Sequence, residues 1–178
     1  MPTHPGLADL LRYLGDNRAV AQENGAWTVT PRFAALESRL PQSVESMVEL
    51  KISQLSEADL PILIAASVQG VEFDSAVVAA STEIDALTIE ETLERVERTH
   101  ALIRLVEERE MPDRTLSCRY RFAHALYPAA LYARLRPTRR VALNAAVART
   151  LAHAWGDRRT EIAGELAELF ERARDYSN

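Results

Sequence analysis

Between Arg119 and Arg140 the chain reads RYRFAHALYPAALYARLRPTRR, and its hydrophobic period changes once inside that stretch. Arg119-Tyr120-Arg121-Phe122 alternates, which puts two aromatics on one face of a strand and two arginines on the other. From His124 onward Leu126, Ala130, Leu131 and Leu135 fall at helical spacing, and Arg136-Pro137 closes the run. The stretch therefore ends a strand and starts a helix at a titratable ring. Two readings of His124 stand open. Either the ring begins the helix and packs on Phe122, or it holds an anion where the free amides of a helix start favour one.

The chain has 178 residues, enough for one ordinary domain or two small ones. At this length folding buries about 70% of the unfolded surface, so no covalent staple is needed. The single cysteine, Cys118, has no partner for an internal disulfide, and its strand-like setting suits a buried thiol rather than a nucleophile. The N-terminus does not resemble a signal peptide, and no apolar run approaches membrane-spanning length. The expectation is a soluble, cytoplasmic protein without a membrane contact.

A net charge of −5 hides an asymmetry. Residues 1–112 hold 9 Lys/Arg against 19 Asp/Glu, whereas residues 113–159 hold 10 arginines against 2 aspartates. The basic block is either a solvated face complementing the acidic half or a surface for phosphate, nucleic acid or an acidic partner.

Along the chain, Leu7 to Arg18 patterns as an amphipathic helix, Trp27-Thr28-Val29 as a short strand after a turn, and Pro31 to Leu40 as a weak helix. A helix follows from Pro41 to Leu55 with Val44, Met47, Val48, Ile52 and Leu55 as its stripe. Ser56 caps the next helix, with Asp59 in a near capping-box position and Pro61 early enough to be tolerated. The segment Leu60 to Val68 is apolar nearly all round and predicts the buried centre. After Gly70 come a short extended Val71-Glu72-Phe73, a small helix from Asp74, and a helix capped by Thr88 with Ile89, Leu93 and Val96 inward. Strands near 102–106 and 117–122 then flank a polar loop from Glu107 to Arg114, and two more helices, Thr138 to Ala154 and Thr160 to about Arg174, close the chain. The expected fold class is mainly α: a winged-helix-like domain with one small antiparallel β-hairpin, followed by helical-repeat-like helices.

Several chemistries find no support. The chain has no glycine-rich phosphate loop and no serine in a nucleophile elbow. His4, His100, His124 and His153 lack metal-ligand spacing, and there is no cysteine pair. The carboxylates from Glu90 to Glu97 read as a solvated helix face, so the chain is not expected to be an enzyme. In a winged helix the third helix would face the DNA phosphates. Here it carries Glu90, Glu91, Glu94 and Glu97, and the expected wing tip is Glu107-Glu108-Arg109-Glu110. Both would repel a duplex, which makes nucleic acid an unlikely partner.

The segments LADLLRYLGDNRAVAQENGAWTVT, LPQSVESMVELKISQLSEADLPILIAASVQGVEFD and RYRFAHALYPAALYARLRPTRRVALNAAVARTLA, in that order, resemble the region downstream of the ATPase core in bacterial signal-transduction ATPases with numerous domains. These AAA+-related regulators are often fused to adenylate cyclase, kinase or transcription-activator modules. The resemblance implies the end of the ATPase lid region over 1–40, a winged-helix domain over 41–123, and trailing helices over 124–178 that begin a tetratricopeptide-like array. It further implies a non-catalytic module coupling the nucleotide state of an absent ATPase core to an absent sensor. The alternative is a nucleic-acid-binding winged helix of a transcription regulator. No cofactor is expected on the chain alone, and ADP or ATP is expected in the parent. In related animal ATPases a histidine in a similar F-x-H motif contacts the β-phosphate of ADP, and His124 is the matching position, with Arg119 and Arg121 adding positive potential. The chain departs from the pattern at Pro128-Ala129, where Gln-Glu is common, and at Leu143-Asn144, where Leu-His is found. The missing phosphate loop makes an excised segment the expectation.

Overall fold

The computed structural model describes Val20–Glu23, Ala26–Val29 and residues 42–174. The helices expected over 7–18 and 31–40 lie outside those residues. Two compact units divide the chain, Met1–Glu49 and Leu50–Asn178. In the first, β1 (Val20–Glu23) pairs antiparallel with β2 (Ala26–Val29), with Glu23 opposite Ala26. Helix α1 (Gln42–Ser53) starts in this unit and ends in the second. Its expected stripe holds at Val44 and Ile52, which are buried, but not at Met47, which is 45% exposed.

The second unit begins with α2 (Asp59–Ser67). Ser56 Oγ accepts the Asp59 amide at 3.0 Å, which satisfies a donor at the start of that helix. Asp59 does not complete a capping box; its carboxylate is buried and turns to Arg95 instead. Gly70, at φ 104°, lets the chain reverse into β3 (Glu72–Asp74), where a side chain would be strained. Then come α3 (Ser75–Thr82) and α4 (Ala86–His100). The cap of α4 is Asp85 rather than Thr88: the Asp85 carboxylate accepts the Thr88 amide at 3.1 Å. Aspartate is the stronger acceptor, and it sits three residues earlier, as an N-cap requires.

The sheet differs most from expectation. Strand β4 runs Ile103–Glu110 and β5 runs Leu116–Phe122, and β3 joins them to give three antiparallel strands in the order β3-β5-β4. The polar loop expected from Glu107 to Arg114 is therefore strand through Glu110. Past a bulge between Leu105 and Glu107, those residues pair with Arg119 through Leu116. A charged run can form a strand there because β4 is an edge and much of it is solvated. The true turn is Met111 to Thr115, held by Met111 N–H to Thr115 O and Arg114 N–H to Met111 O, each 2.8 Å. It carries one acid and one base, Asp113 and Arg114, so the acidic tip read from Glu107–Glu110 belongs to the strand instead.

The core lies under this sheet. Leu63 on α2, Val77 and Val78 on α3, and Ile89, Leu93 and Val96 on α4 are all buried with no exposed area. Phe73 stacks on Tyr120 at 5.8 Å and tilts against Phe122 at 5.1 Å, so the aromatic face of β5 points inward as its alternation predicts. Ile64 departs from the all-round apolar reading of α2, being only half-buried.

After β5 come α5 (Leu126–Ala133), which packs on α2, and α6 (Pro137–Trp155), which packs on α3. A 3-10 turn, Gly156–Ile162, leads to α7 (Ala163–Arg174), which lies against α6. Proline at the first position of α6 needs no amide partner, which accounts for the start one residue before expectation. Leu63→Ala should cost about 2–5 kcal/mol, as for other fully buried leucines, with Ile64→Ala clearly milder. Urea unfolding of both variants checks this, and equal midpoints for the two would misplace the core.

Candidate functional site

The two arginines ahead of His124 are placed by strand register. Glu72 lies opposite Arg121, and Asp74 lies opposite Arg119. Acids at alternate positions of β3 thus face bases at alternate positions of β5, on the side of the sheet away from Phe73, Tyr120 and Phe122. Glu72 accepts from Arg119 Nε at 2.9 Å and from Arg121 Nε at 2.7 Å. Burial pushes the Glu72 carboxyl up, but the hydrogen bonds from Arg121 and Arg119 outweigh it and hold the group below its ordinary value.

Asp74 is the deeper of the two acids, its side chain only 5% exposed. Arg109 of β4 grips it with two parallel bonds, Nε to Oδ1 at 2.8 Å and Nη2 to Oδ2 at 2.6 Å, and Arg119 adds a longer contact at 3.5 Å. This fork geometry is the strong form of the carboxylate–guanidinium pair. Glu72, Asp74 and Arg109 were not singled out from sequence. The signal that could have found them is the match of Glu72-Phe73-Asp74 to Arg119-Tyr120-Arg121, acid-aromatic-acid against base-aromatic-base.

His124 sits in the short turn between β5 and α5 and is half-buried. Its Nδ1 accepts the Leu126 amide at 3.2 Å, the first free donor of α5, whose own N-cap residue Ala125 offers no side-chain acceptor. Burial lowers its pKa, so the ring is neutral near pH 7. With Nδ1 accepting, the proton is assigned to Nε2 by that hydrogen bond. The ring's aromatic neighbour is Tyr127, met edge-on at 6.5 Å. Thus Arg119 and Arg121 are joined to each other through Glu72, while His124 serves its own helix. Among the described residues no hydrogen bond or ion pair links His124 to either arginine.

The basic block as a whole divides in the same way. Arg158 pairs with Glu161, Arg159 donates to Gly156 O, and Arg140 donates to Leu135 O while lying over the Tyr132 ring at 4.8 Å. Arg172 approaches the same Tyr132 ring at 5.7 Å. The Tyr132 hydroxyl accepts from Asn144 Nδ2 at 2.9 Å, on a residue with no exposed surface. Asn144 Nδ2 also donates to Arg140 O at 2.7 Å, whereas its Oδ1 is buried without a partner among the described residues. Cys118 is partly buried, and desolvation followed by the charges of Glu90 and Glu108 pushes its thiol up, the reverse of activation. Among the described residues no cluster of His, Cys, Asp and Glu is placed to hold a metal, and no helix is long and apolar enough to cross a membrane.

Comparison with protein-family models, with curated proteins and with solved structures finds no match to this chain.

Two outcomes follow from this geometry. Arg109→Met strands the buried Asp74 carboxylate and should cost about 3–5 kcal/mol, whereas Asp74→Leu combined with Arg109→Met should recover much of the loss. Urea unfolding of the single and double variants measures this coupling. For His124, a folded pKa below its ordinary 6.5 means that the folded state binds fewer protons than the unfolded chain. The stability it contributes is complete above about pH 6.5 and disappears as pH falls through the lower folded value. His124→Asn, which keeps an acceptor for the amide two residues on, should flatten that part of the pH–stability profile while leaving stability at pH 7.5 nearly unchanged. His124→Ala should lose about 0.5–1.5 kcal/mol at pH 7.5.

Proposed function

We propose that this chain is a non-catalytic regulatory module, a winged helix with trailing helices that couples the nucleotide state of an ATPase core to a sensor or output domain. The observation that carries the reading is connectivity. The order α2-β3-α3-α4-β4-β5, with β3 paired to β5 at one side of the sheet, is the order of a winged helix, and α5 to α7 pack on as a helical extension. The resemblance of the sequence segments to signal-transduction ATPases supplies the coupling role.

In this reading His124 is the nucleotide-facing group. A neutral imidazole with its proton on Nε2 is a donor suited to a phosphate oxygen, and the Leu126 amide fixes that tautomer. Arg119 and Arg121 add positive potential to the same strand end, two guanidiniums against the one Glu72 carboxylate. Both are engaged by Glu72, and they would have to leave it to meet a phosphate. Their bonds to Glu72 also tie β5, which leads into His124, to β3. Nucleotide binding then biases how the module docks on the core, a shift between two arrangements.

The nucleic-acid alternative is disfavoured by α4. Its exposed side presents Glu91 and Glu94, while Arg98 lies 3.6 Å from Glu94 and Arg95 is turned to Asp59. A helix so arranged would meet the phosphate charge of a duplex with its own negative charge.

The test uses the full-length protein that carries the core. His124→Ala should speed ADP release by roughly ten- to a hundred-fold, the equivalent of one lost charge-assisted hydrogen bond, and Arg149→Ala should leave it unchanged. Equal off-rates for His124→Ala and the unaltered protein would return His124 to a helix-start role. Steeply salt-dependent binding of random duplex by the chain would favour the alternative instead.

A further inference from the structure

A groove of about 590 Å³ runs between α2, the end of α3 and the first half of α6. Its floor is apolar, built from Ile64, Ala65, Ile84, Ala142, Leu143 and Ala146. On α6, Arg139, Ala142, Leu143 and Ala146 follow helical spacing, so one face of that helix lines the groove with a cation at its N-terminal end. Arg136, one turn before Arg139, lines the same end.

The polar groups of the groove differ in what they leave available. Ser81 and Thr82 turn their hydroxyls back onto Val78 O, at 3.1 and 2.7 Å. Arg136 and Arg139 are both exposed, and among the described residues neither has an acidic partner, in contrast to Arg119, Arg121 and Arg158 of the same basic block. Arg136 is also the N-cap residue of α6, a cation where an acceptor is the usual choice. Glu83 lies on the α3 side, so negative charge is accepted at the α6 end and repelled at the other.

We propose that this groove docks a short acidic amphipathic helix of a partner protein. Its apolar face, at three- and four-residue spacing, lies on the Ile64–Leu143 floor, and its carboxylates meet Arg136 and Arg139. The alanines on both walls allow the close approach that a helix laid in a groove needs. Charge complementarity at one end fixes the direction in which it lies. This inference uses only the groove and does not depend on the regulatory reading above.

The full chain, immobilised, is panned against a phage-displayed library of random 12-residue peptides. The expected binders combine Asp or Glu with Leu, Ile or Phe at helical spacing. As synthetic peptides they should bind at least about tenfold more weakly to Arg136→Glu/Arg139→Glu and to Ala142→Trp, which fills the groove from an exposed position. Arg149→Glu, farther along α6 and outside the groove, should leave binding unchanged. Circular dichroism of each variant confirms that the fold persists. Absence of any binder above a blank surface overturns the proposal. So do binders without acidic enrichment, or binding unaffected by the charge reversal or by Ala142→Trp. Random duplex captured through the same two arginines, with no peptide selected, would also overturn it.

Discussion

The buried Asp74 carboxylate depends on the Arg109 fork that neutralises it, and that pairing sits where the helices of the second unit meet its sheet. Asp74 ends β3 and is the N-cap residue of α3, yet its side chain makes no capping bond. A carboxylate this deep costs several kcal/mol in desolvation unless it is paired and fully hydrogen-bonded. Arg109 supplies both bonds from the far strand β4, so the three-residue β3 is tied across β5 to the strand beyond it. Gln69 completes the arrangement: its Oε1 accepts the Asp74 amide at 3.0 Å, and its Nε2 donates to Asp74 O at 3.4 Å. One side chain thereby satisfies the backbone of a strand end that has no further neighbour.

Local contacts also decide which cations of the basic block stay available to a partner. Read as a charge count, residues 113–159 look like a single electropositive surface. In the fold, Arg119 and Arg121 belong to Glu72, Arg158 belongs to Glu161, and Arg140 covers Tyr132. The cations left to meet a partner stand at particular places, and the groove beside α6 holds two of them. Pairing with Glu72 and Glu161 weakens the long-range field that nucleic-acid binding draws on.

His124 shows how a junction residue can serve both local structure and chemistry. By accepting the Leu126 amide it replaces the side-chain cap that α5 lacks, and the same bond sets which nitrogen carries the proton. Burial keeps the ring neutral, which suits a donor held in one orientation. The packing around it is aromatic through Tyr127 rather than Phe122, because Phe122 is committed to Phe73 in the core.

Local signals determined α2, α4 and α6: an apolar run with cap residues for α2, and periodicity for the inward faces of Ile89, Leu93 and Val96 and for the aromatic and basic faces of β5, because each depends only on residues a turn or a pleat apart. The strand–helix junction at His124 was legible for the same reason. Tertiary structure decided the rest. The charged run Glu107–Glu110 has no apolar alternation to mark it as strand, and it became one only because β5 offered an edge with partners in register. Whether Arg119 and Arg121 were free cations or joined through an acid depended on Glu72, 47 and 49 residues away along the chain. The groove at Arg136 and Arg139 required three helices to be brought together, and no local pattern encodes which side of α6 they leave open.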